Sequence, residues 1–180
     1  MKATGIVRRI DDLGRVVIPK EIRRTMRIRE GDPLEIYTDR DGEVIFKKYS
    51  PIGELSTFAV EYADAVSRTG GFPVLVTDRD AVIAASGISK KSYMERALSP
   101  ELEQIMDQRL PFAKRDTGAK PIAALRDGDA DAIVASPIIS EGDVIGSVVI
   151  LKSHEESIAG DVEVKLAEAA ASFLGRHLES

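Results

Sequence analysis

The chain has 180 residues, of which 43% are hydrophobic and 31% charged, which suits packed cores in one ordinary domain or two small ones. It contains no cysteine, which excludes disulfides, thiolate catalysis and cysteine-ligated metal sites. The formal net charge is −5, yet residues 1–29 hold nine Lys or Arg against three acids, an asymmetry that favours a basic, phosphate-contacting surface on an acidic body.

The first nineteen residues predict two short β-strands around a tight turn. Period-two alternation over residues 5–11 would place Ile6, Arg8 and Ile10 on one face of the first strand. The sequence DLG at 12–14 supplies the turn, and residues 15–18 form the second strand, which Pro19 ends.

A short helix over residues 20–28 and a β-hairpin follow. Proline suits the first position of a helix, and the Asp-Gly pair at 41–42 predicts a turn between strands 34–37 and 44–47. Such a small segment, without disulfides or metal, has too little core to be stable alone. We therefore expect an obligate dimer in which the strands of two copies interleave.

Residues 49–53 break the pattern and predict a boundary between domains 1–53 and 54–180. The second domain should contain a helix, two strands, two short helices, an irregular segment, three strands and a final helix. Their ranges are 54–68; 72–77 and 81–85; 91–97 and 99–109; 111–121; 122–125, 132–139 and 144–152; and 161–178. Short links favour an antiparallel sheet and an α+β fold, and Ser99 is a suitable helix N-cap.

Three stretches near the N-terminus share the pattern of a known family. They are Thr4–Asp11, Leu13–Pro19 and Glu21–Arg24, in which turn, proline and arginines fall in register. Roughly residues 1–50 resemble the AbrB-type swapped-hairpin family. The resemblance implies a swapped-hairpin β-barrel dimer module that binds double-stranded promoter DNA.

The second half is similar to GAF-type sensory domains, most clearly at Ser136–Ile139 and Gly142–Val149. This resemblance implies an antiparallel sheet with flanking helices. The pairing of the two modules resembles a family of sporulation regulators, and implies a factor that activates some genes and represses others during spore formation.

The AbrB-type pattern also implies which residues bind DNA. The residues that match it are Arg8, Arg15, Arg23 and Arg24. Their basic neighbours are Lys2, Arg9 and Lys20. The planar guanidinium fork suits phosphates and guanine edges, whereas lysine acts as a point charge. We expect loose, A·T-tolerant recognition that draws partly on DNA deformability.

Other charged residues of the first domain are assigned less functional weight. Arg27, Arg29, Lys47 and Lys48 are expected to be ordinary solvated surface. Asp11 and Asp12 could either orient arginines or simply form the turn, and the sequence leaves both roles open.

The GAF-like domain has two expected uses. A small-molecule pocket for an unidentified ligand could be lined by residues 86–93 and 111–121, and a role in assembly alone has equal standing. In GAF-like folds the first and last helices pack side by side and commonly build bundles between subunits. A second dimerising surface would make the protein a tetramer.

Catalysis is not expected, and neither are a metal or a cofactor. His154 and His177 are the only histidines, and neither has metal-ligand spacing or a placed nucleophile. No apolar run approaches the length of a membrane span and the N-terminus lacks a signal peptide, so we expect a cytoplasmic, nucleoid-associated protein with no membrane partner.

Two other functions remain as alternatives. One is an antitoxin-type regulator, because toxin–antitoxin partners use the same N-terminal fold. The other is a metabolite-binding protein whose basic module serves only to dimerise. A folded acidic domain speaks against the first, and the four matching arginines speak against the second.

Overall fold

A computed structural model describes residues 4–54, 56–154 and 157–178. The chain divides into two compact units, one that ends at Tyr49 and one that begins at Ser50. The boundary that we expect after residue 53 stays a prediction. None of the helices in the described part of the chain is long and apolar enough to cross a membrane.

The first unit contains one helix and one hairpin. Helix α1 spans Lys20–Thr25, and the antiparallel strands are β1 (Leu34–Thr38) and β2 (Val44–Lys48). The predicted hairpin is therefore confirmed. The helix predicted over 20–28 is too long, because the backbone at Arg27 takes a positive φ of 53°, which ends helical geometry.

The strands predicted over 5–11 and 15–18 are absent from this single chain. Within residues 4–19 the main-chain hydrogen bonds are those of the turn, from the Asp11 amide to the Arg15 carbonyl and from the Gly14 amide to the Asp11 carbonyl. The physical reason is that a strand needs a neighbour for its ladder, and the described chain places none beside these segments.

The second unit is built on a six-stranded sheet. Its strands are β3 (Val74–Thr77), β4 (Val82–Ser86), β5 (Phe112–Ala113), β6 (Ile122–Ala123), β7 (Asp131–Ser140) and β8 (Asp143–Leu151). They run in the order β4-β3-β8-β7-β5, with β6 also paired to β7, and every pair is antiparallel as predicted. The tight β7–β8 link has positive φ at Glu141 and Gly142, as a type I′ turn requires.

Helices cover both faces of this sheet. They are α2 (Pro51–Glu54), α3 (Ser56–Gly70), α4 (Lys90–Tyr93), α5 (Pro100–Gln108) and α6 (Asp161–His177). Residues of α3 and α6 join one buried apolar cluster, and residues of α5 join a second. The predicted α+β architecture with flanking helices is confirmed.

Three details of the second unit correct the sequence predictions. The helix predicted over 91–97 ends at Tyr93, because Glu95 has a positive φ of 62° and its amide donates to the carbonyl of Val82 at the sheet edge. The segment 111–121 is not wholly irregular, since it contains β5. The strand predicted over 122–125 stops at Ala123.

Candidate nucleic-acid interface

Three predicted DNA-binding residues share helix α1. Lys20, Arg23 and Arg24 are spaced at i, i+3 and i+4, which places them on one side of the helix. Lys20 and Arg24 are exposed and Arg23 is half-buried. Pro19 is the N-cap of the helix, and its carbonyl accepts the Arg23 amide at 3.0 Å. The local sequence therefore produces a compact basic side on a helix that has no buried residue.

Two more predicted residues lie in the extended segment before the turn. Arg8 and Arg9 are exposed, and the Arg8 Nη1 donates to the carbonyl of its neighbour Val7 at 3.3 Å. That contact is local and leaves the side chain at the surface. Lys2 lies outside the described residues.

Arg15 is held by Asp11 across the turn. One carboxylate oxygen of Asp11 accepts the amides of Leu13 and Arg15 at 3.0 and 2.7 Å, and the other accepts the Arg15 Nε at 2.8 Å. Gly14, with a φ of 77°, allows the chain to close this loop. The Arg15 amide and then its guanidinium hold the pKa of Asp11 below its usual value.

The two acids of the turn thus differ. Asp11 both forms the turn and pairs with an arginine, so the two roles that the sequence leaves open are combined in one residue. The side chain of Asp12 makes no hydrogen bond or ion pair with any described residue. The sequence signal that could have indicated this pairing is an acid four positions before an arginine, with a glycine between them.

The basic residues given less weight have local structural partners. The Lys47 ammonium lies 4.5 Å from the centre of the Tyr37 ring. The Lys48 ammonium donates to the Arg27 carbonyl at 2.9 Å and pairs with Asp32 at 3.7 Å. These contacts explain the two lysines without a nucleic acid.

The first unit leaves most of its apolar side chains at the surface. Pro19 is the only buried residue among residues 4–49. The exposed large apolar residues are Ile6, Val7, Ile10, Leu13, Val16, Val17, Met26, Ile36, Tyr37, Val44 and Phe46. Soluble proteins rarely leave most of the large apolar side chains of a unit uncovered, so this exposure indicates an interface.

Some of the residues expected to line a ligand pocket in the second unit pack against its core. A buried apolar cluster around Leu102 and Val149 contacts residues of both expected walls. They are Ile88 and Tyr93 from residues 86–93, and Phe112 from residues 111–121. Within the described residues, no group of three His, Asp or Glu side chains is placed to hold a metal ion.

A cluster of rings on α3 and α6 was missed by the sequence analysis as a distinct site. We call Phe58, Tyr62, Phe173 and His177 the aromatic face. Tyr62 stacks on Phe173 with 4.3 Å between ring centres, and Phe58 lies 4.6 Å from His177. Phe58 and Phe173 remain 41% and 38% exposed, and Tyr62, Phe173 and His177 line an open cleft of 510 Å³. Helical periodicity places these rings on apolar faces but does not distinguish core from surface.

Comparison with known proteins identifies both units. The family described as stage V sporulation protein T C-terminal, transcription factor, matches residues 54–179, and the family of the antidote-toxin recognition protein MazE, a bacterial antitoxin, matches residues 7–53. Stage V sporulation protein T of Bacillus subtilis (strain 168) is 56% identical over 179 residues, which cover 99% of each chain.

The N-terminal resemblance is also confirmed by sequence. The transition state regulatory protein AbrB of Bacillus subtilis (strain 168) is 65% identical over 51 residues, which cover 28% of this chain and 52% of that protein. The solution structure of its N-terminal DNA recognition domain covers 28% of this chain and 94% of that structure, with 65% identity and a TM-score of 0.25.

The second unit has the fold of GAF domains. The GAF domain of a phosphoenolpyruvate-protein phosphotransferase from Coxiella burnetii matches 69% of this chain and 82% of that structure, with a TM-score of 0.54. Its identity of 14% supports the shared fold alone. The chain belongs to the family of stage V sporulation protein T, a family of sporulation transcription factors.

Proposed function

We propose that two copies of this chain pair through their first units and bind promoter DNA with the arginines of the paired surface. The observation that carries the proposal is the combination of exposed arginines and exposed apolar residues within one short unit. The side chains assigned to DNA are Arg8, Arg15, Arg23 and Arg24, with Lys2, Arg9 and Lys20 as basic neighbours.

The apolar surface supports the pairing. Val7 and Val17 are 85% and 70% exposed in the single chain, although β-branched side chains suit strands that pack against neighbours. Interleaving residues 5–11 and 15–18 with those of a second copy would supply ladder partners and cover these side chains. The strands predicted from the sequence then form only in the dimer.

The charge distribution supports DNA as the partner. Arginine binds phosphate and the guanine edge through two parallel hydrogen bonds, and pairing doubles every arginine by symmetry. If four arginines per subunit each meet one phosphate, log affinity should fall with log salt with a slope of about −7. A protein that binds only a metabolite would not show this salt-dependent affinity for duplex DNA.

Family membership supports the wider role. We propose that the protein activates some sporulation genes and represses others, in the cytoplasm at the nucleoid, without catalysing a reaction. The antitoxin alternative is less favoured, because residues 54–179 match a transcription-factor family rather than a short toxin-binding tail. Binding of an unidentified small molecule by the GAF-like domain remains a proposal of equal weight to a purely assembling role.

The second unit supports a larger assembly. The exposed rings of the aromatic face lie on the first and last long helices of the GAF-like fold. We propose that this face meets the same face of another subunit, which joins two DNA-binding dimers into a tetramer.

The test compares Arg24→Ala with Lys47→Ala in the full-length protein. Both changes remove one positive charge from the first unit, but Lys47 is explained by its contact with Tyr37. Arg24→Ala should weaken binding to a labelled A·T-rich duplex at least about tenfold, and Lys47→Ala much less. Fluorescence anisotropy across a salt series measures both affinity and slope. Equal losses in the two variants, with unchanged oligomer mass, would defeat the assignment.

A further inference from the structure

The contact between Asp11 and Arg15 uses only one edge of the guanidinium. The Asp11 carboxylate takes the Nε at 2.8 Å, while the Arg15 side chain remains 69% exposed. Within the part of the chain that the structure describes, the two terminal Nη groups make no hydrogen bond. The Nη atoms, which can bind a phosphate or a guanine end-on, are therefore not engaged in the hydrogen bond to the carboxylate.

We propose that Asp11 is a positioning residue for DNA binding, which fixes Arg15 with its Nη edge presented to the duplex. The proposal deepens and rests on the proposed function. Asp11 itself would touch no DNA, because its oxygens are already committed to the Leu13 amide and to the amide and Nε of Arg15.

The reason lies in the entropy of a long side chain. A free arginine samples many rotamers, and binding must select one of them, which lowers affinity. In the Asp11–Arg15 loop the same carboxylate holds Arg15 at two points. One oxygen fixes the backbone from which Arg15 projects, and the other fixes its guanidinium. One rotamer of Arg15 is therefore already selected in the protein without DNA.

Simple electrostatics predicts the opposite effect of Asp11. A carboxylate near the phosphate backbone repels it, so removing that charge should strengthen binding if repulsion were its only contribution. A positioning role predicts weaker binding when the carboxylate is removed. The sign of the change therefore separates the two, and the neighbouring Asp12, whose side chain has no partner among the described residues, serves as the matched control.

The experiment uses Asp11→Asn, Asp12→Asn, Arg15→Ala and the double variant Asp11→Asn/Arg15→Ala of the full-length protein. Asparagine retains a carbonyl oxygen for the two turn amides, so the loop should still close. Anisotropy with a labelled A·T-rich duplex should give about tenfold weaker binding for Asp11→Asn. Asp12→Asn should bind as well as the unmutated protein or better.

The DNA affinity of the double variant distinguishes a positioning role from a merely structural one. If Asp11 acts through Arg15, the double variant binds no more weakly than Arg15→Ala alone. Additive losses, or an Asp11→Asn variant that binds as tightly as Asp12→Asn while Arg15→Ala is impaired, would overturn the positioning role and leave the proposed function intact. Failure of the unmutated protein to bind any duplex would overturn both.

Discussion

Gly146 lies in β8 directly across from the backbone of β3. A Cβ built at this position would meet the carbonyl oxygen of Thr77 at less than van der Waals distance, with the Cα of Asp78 also close. The side chains of the adjoining pair, Thr77 and Ser147, share a buried hydrogen bond of 2.8 Å. The absence of a side chain at 146 thus allows the centre of the sheet to close around a polar pair.

We expect Gly146→Ala to destabilise the second unit by about 1–3 kcal/mol, because the strands must separate or shift to admit a methyl group. The free energy of unfolding in urea measures the change. Gly118→Ala is the control, since its nearest neighbour is a flexible carboxylate oxygen at 3.4 Å and its φ is not positive. Equal stability of the two variants would show that the β3–β8 contact relaxes without cost.

Single residues differ in how much of their role the sequence discloses. Ser99 was predicted as a helix cap from its type and position alone, because capping depends on neighbours within three residues. The role of Gly146 depends on Thr77, which is far away in the chain, so no local pattern reveals it. The role of Asp11 lies between these cases, because its partner is local but two kinds of turn chemistry fit the same residues.

Helix α5 shows how an element is fixed by its first residue. The Ser99 Oγ accepts the Leu102 amide at 3.0 Å and also donates to the carbonyl of Ala123, so one hydroxyl caps the helix and attaches it to the β6 segment. Glu101 and Glu103 in the first turn complement the positive end of the helix dipole.

We expect Ser99→Ala to lower the free energy of unfolding by about 1–2 kcal/mol, because it leaves an amide and a carbonyl without their partner. Urea denaturation, monitored by circular dichroism, measures this free energy of unfolding. Ser89→Ala is a matched control, since Ser89 precedes α4 but makes no capping hydrogen bond. A loss at Ser99 no greater than the loss at Ser89 would contradict the assigned role.

Elements whose partners lie nearby in the chain were predicted better than the others. The β7–β8 hairpin follows from two apolar runs joined by turn residues at 140–143, and α6 follows from helical periodicity. The helix predicted over 91–97 failed because the edge strand β4 captures residues 95 and 96 by main-chain hydrogen bonds. The strands predicted over 5–11 and 15–18 depend on a ladder that one chain does not provide.

At the scale of the whole molecule, the division into a basic and an acidic part is visible in the sequence. The two units differ in how they are stabilised. The second has two buried apolar clusters, whereas the first buries only Pro19 among its described residues 4–49. This difference supports our proposal that the first unit acquires its core from a second copy and that the surface of the second unit connects such pairs.

The aromatic face makes the tetramer testable with one substitution. Phe173→Ser removes an exposed ring that stacks on Tyr62 at 4.3 Å, so it should weaken contact between subunits at this face. We expect the sedimentation-equilibrium mass of the full-length protein to fall from that of a tetramer to that of a dimer. Binding to a duplex with two sites should weaken, because linked dimers gain from effective concentration.

Leu110→Ser provides the control, because Leu110 is 65% exposed on the same unit but lies outside the aromatic face. It should leave the mass and the two-site affinity unchanged. Binding of Phe173→Ser to a single-site duplex should also remain unchanged, since its first units still pair and still present their arginines. A tetrameric Phe173→Ser variant would place the connection between dimers elsewhere. A monomeric variant would show that the second unit, rather than the interleaved strands, holds the basic dimer together.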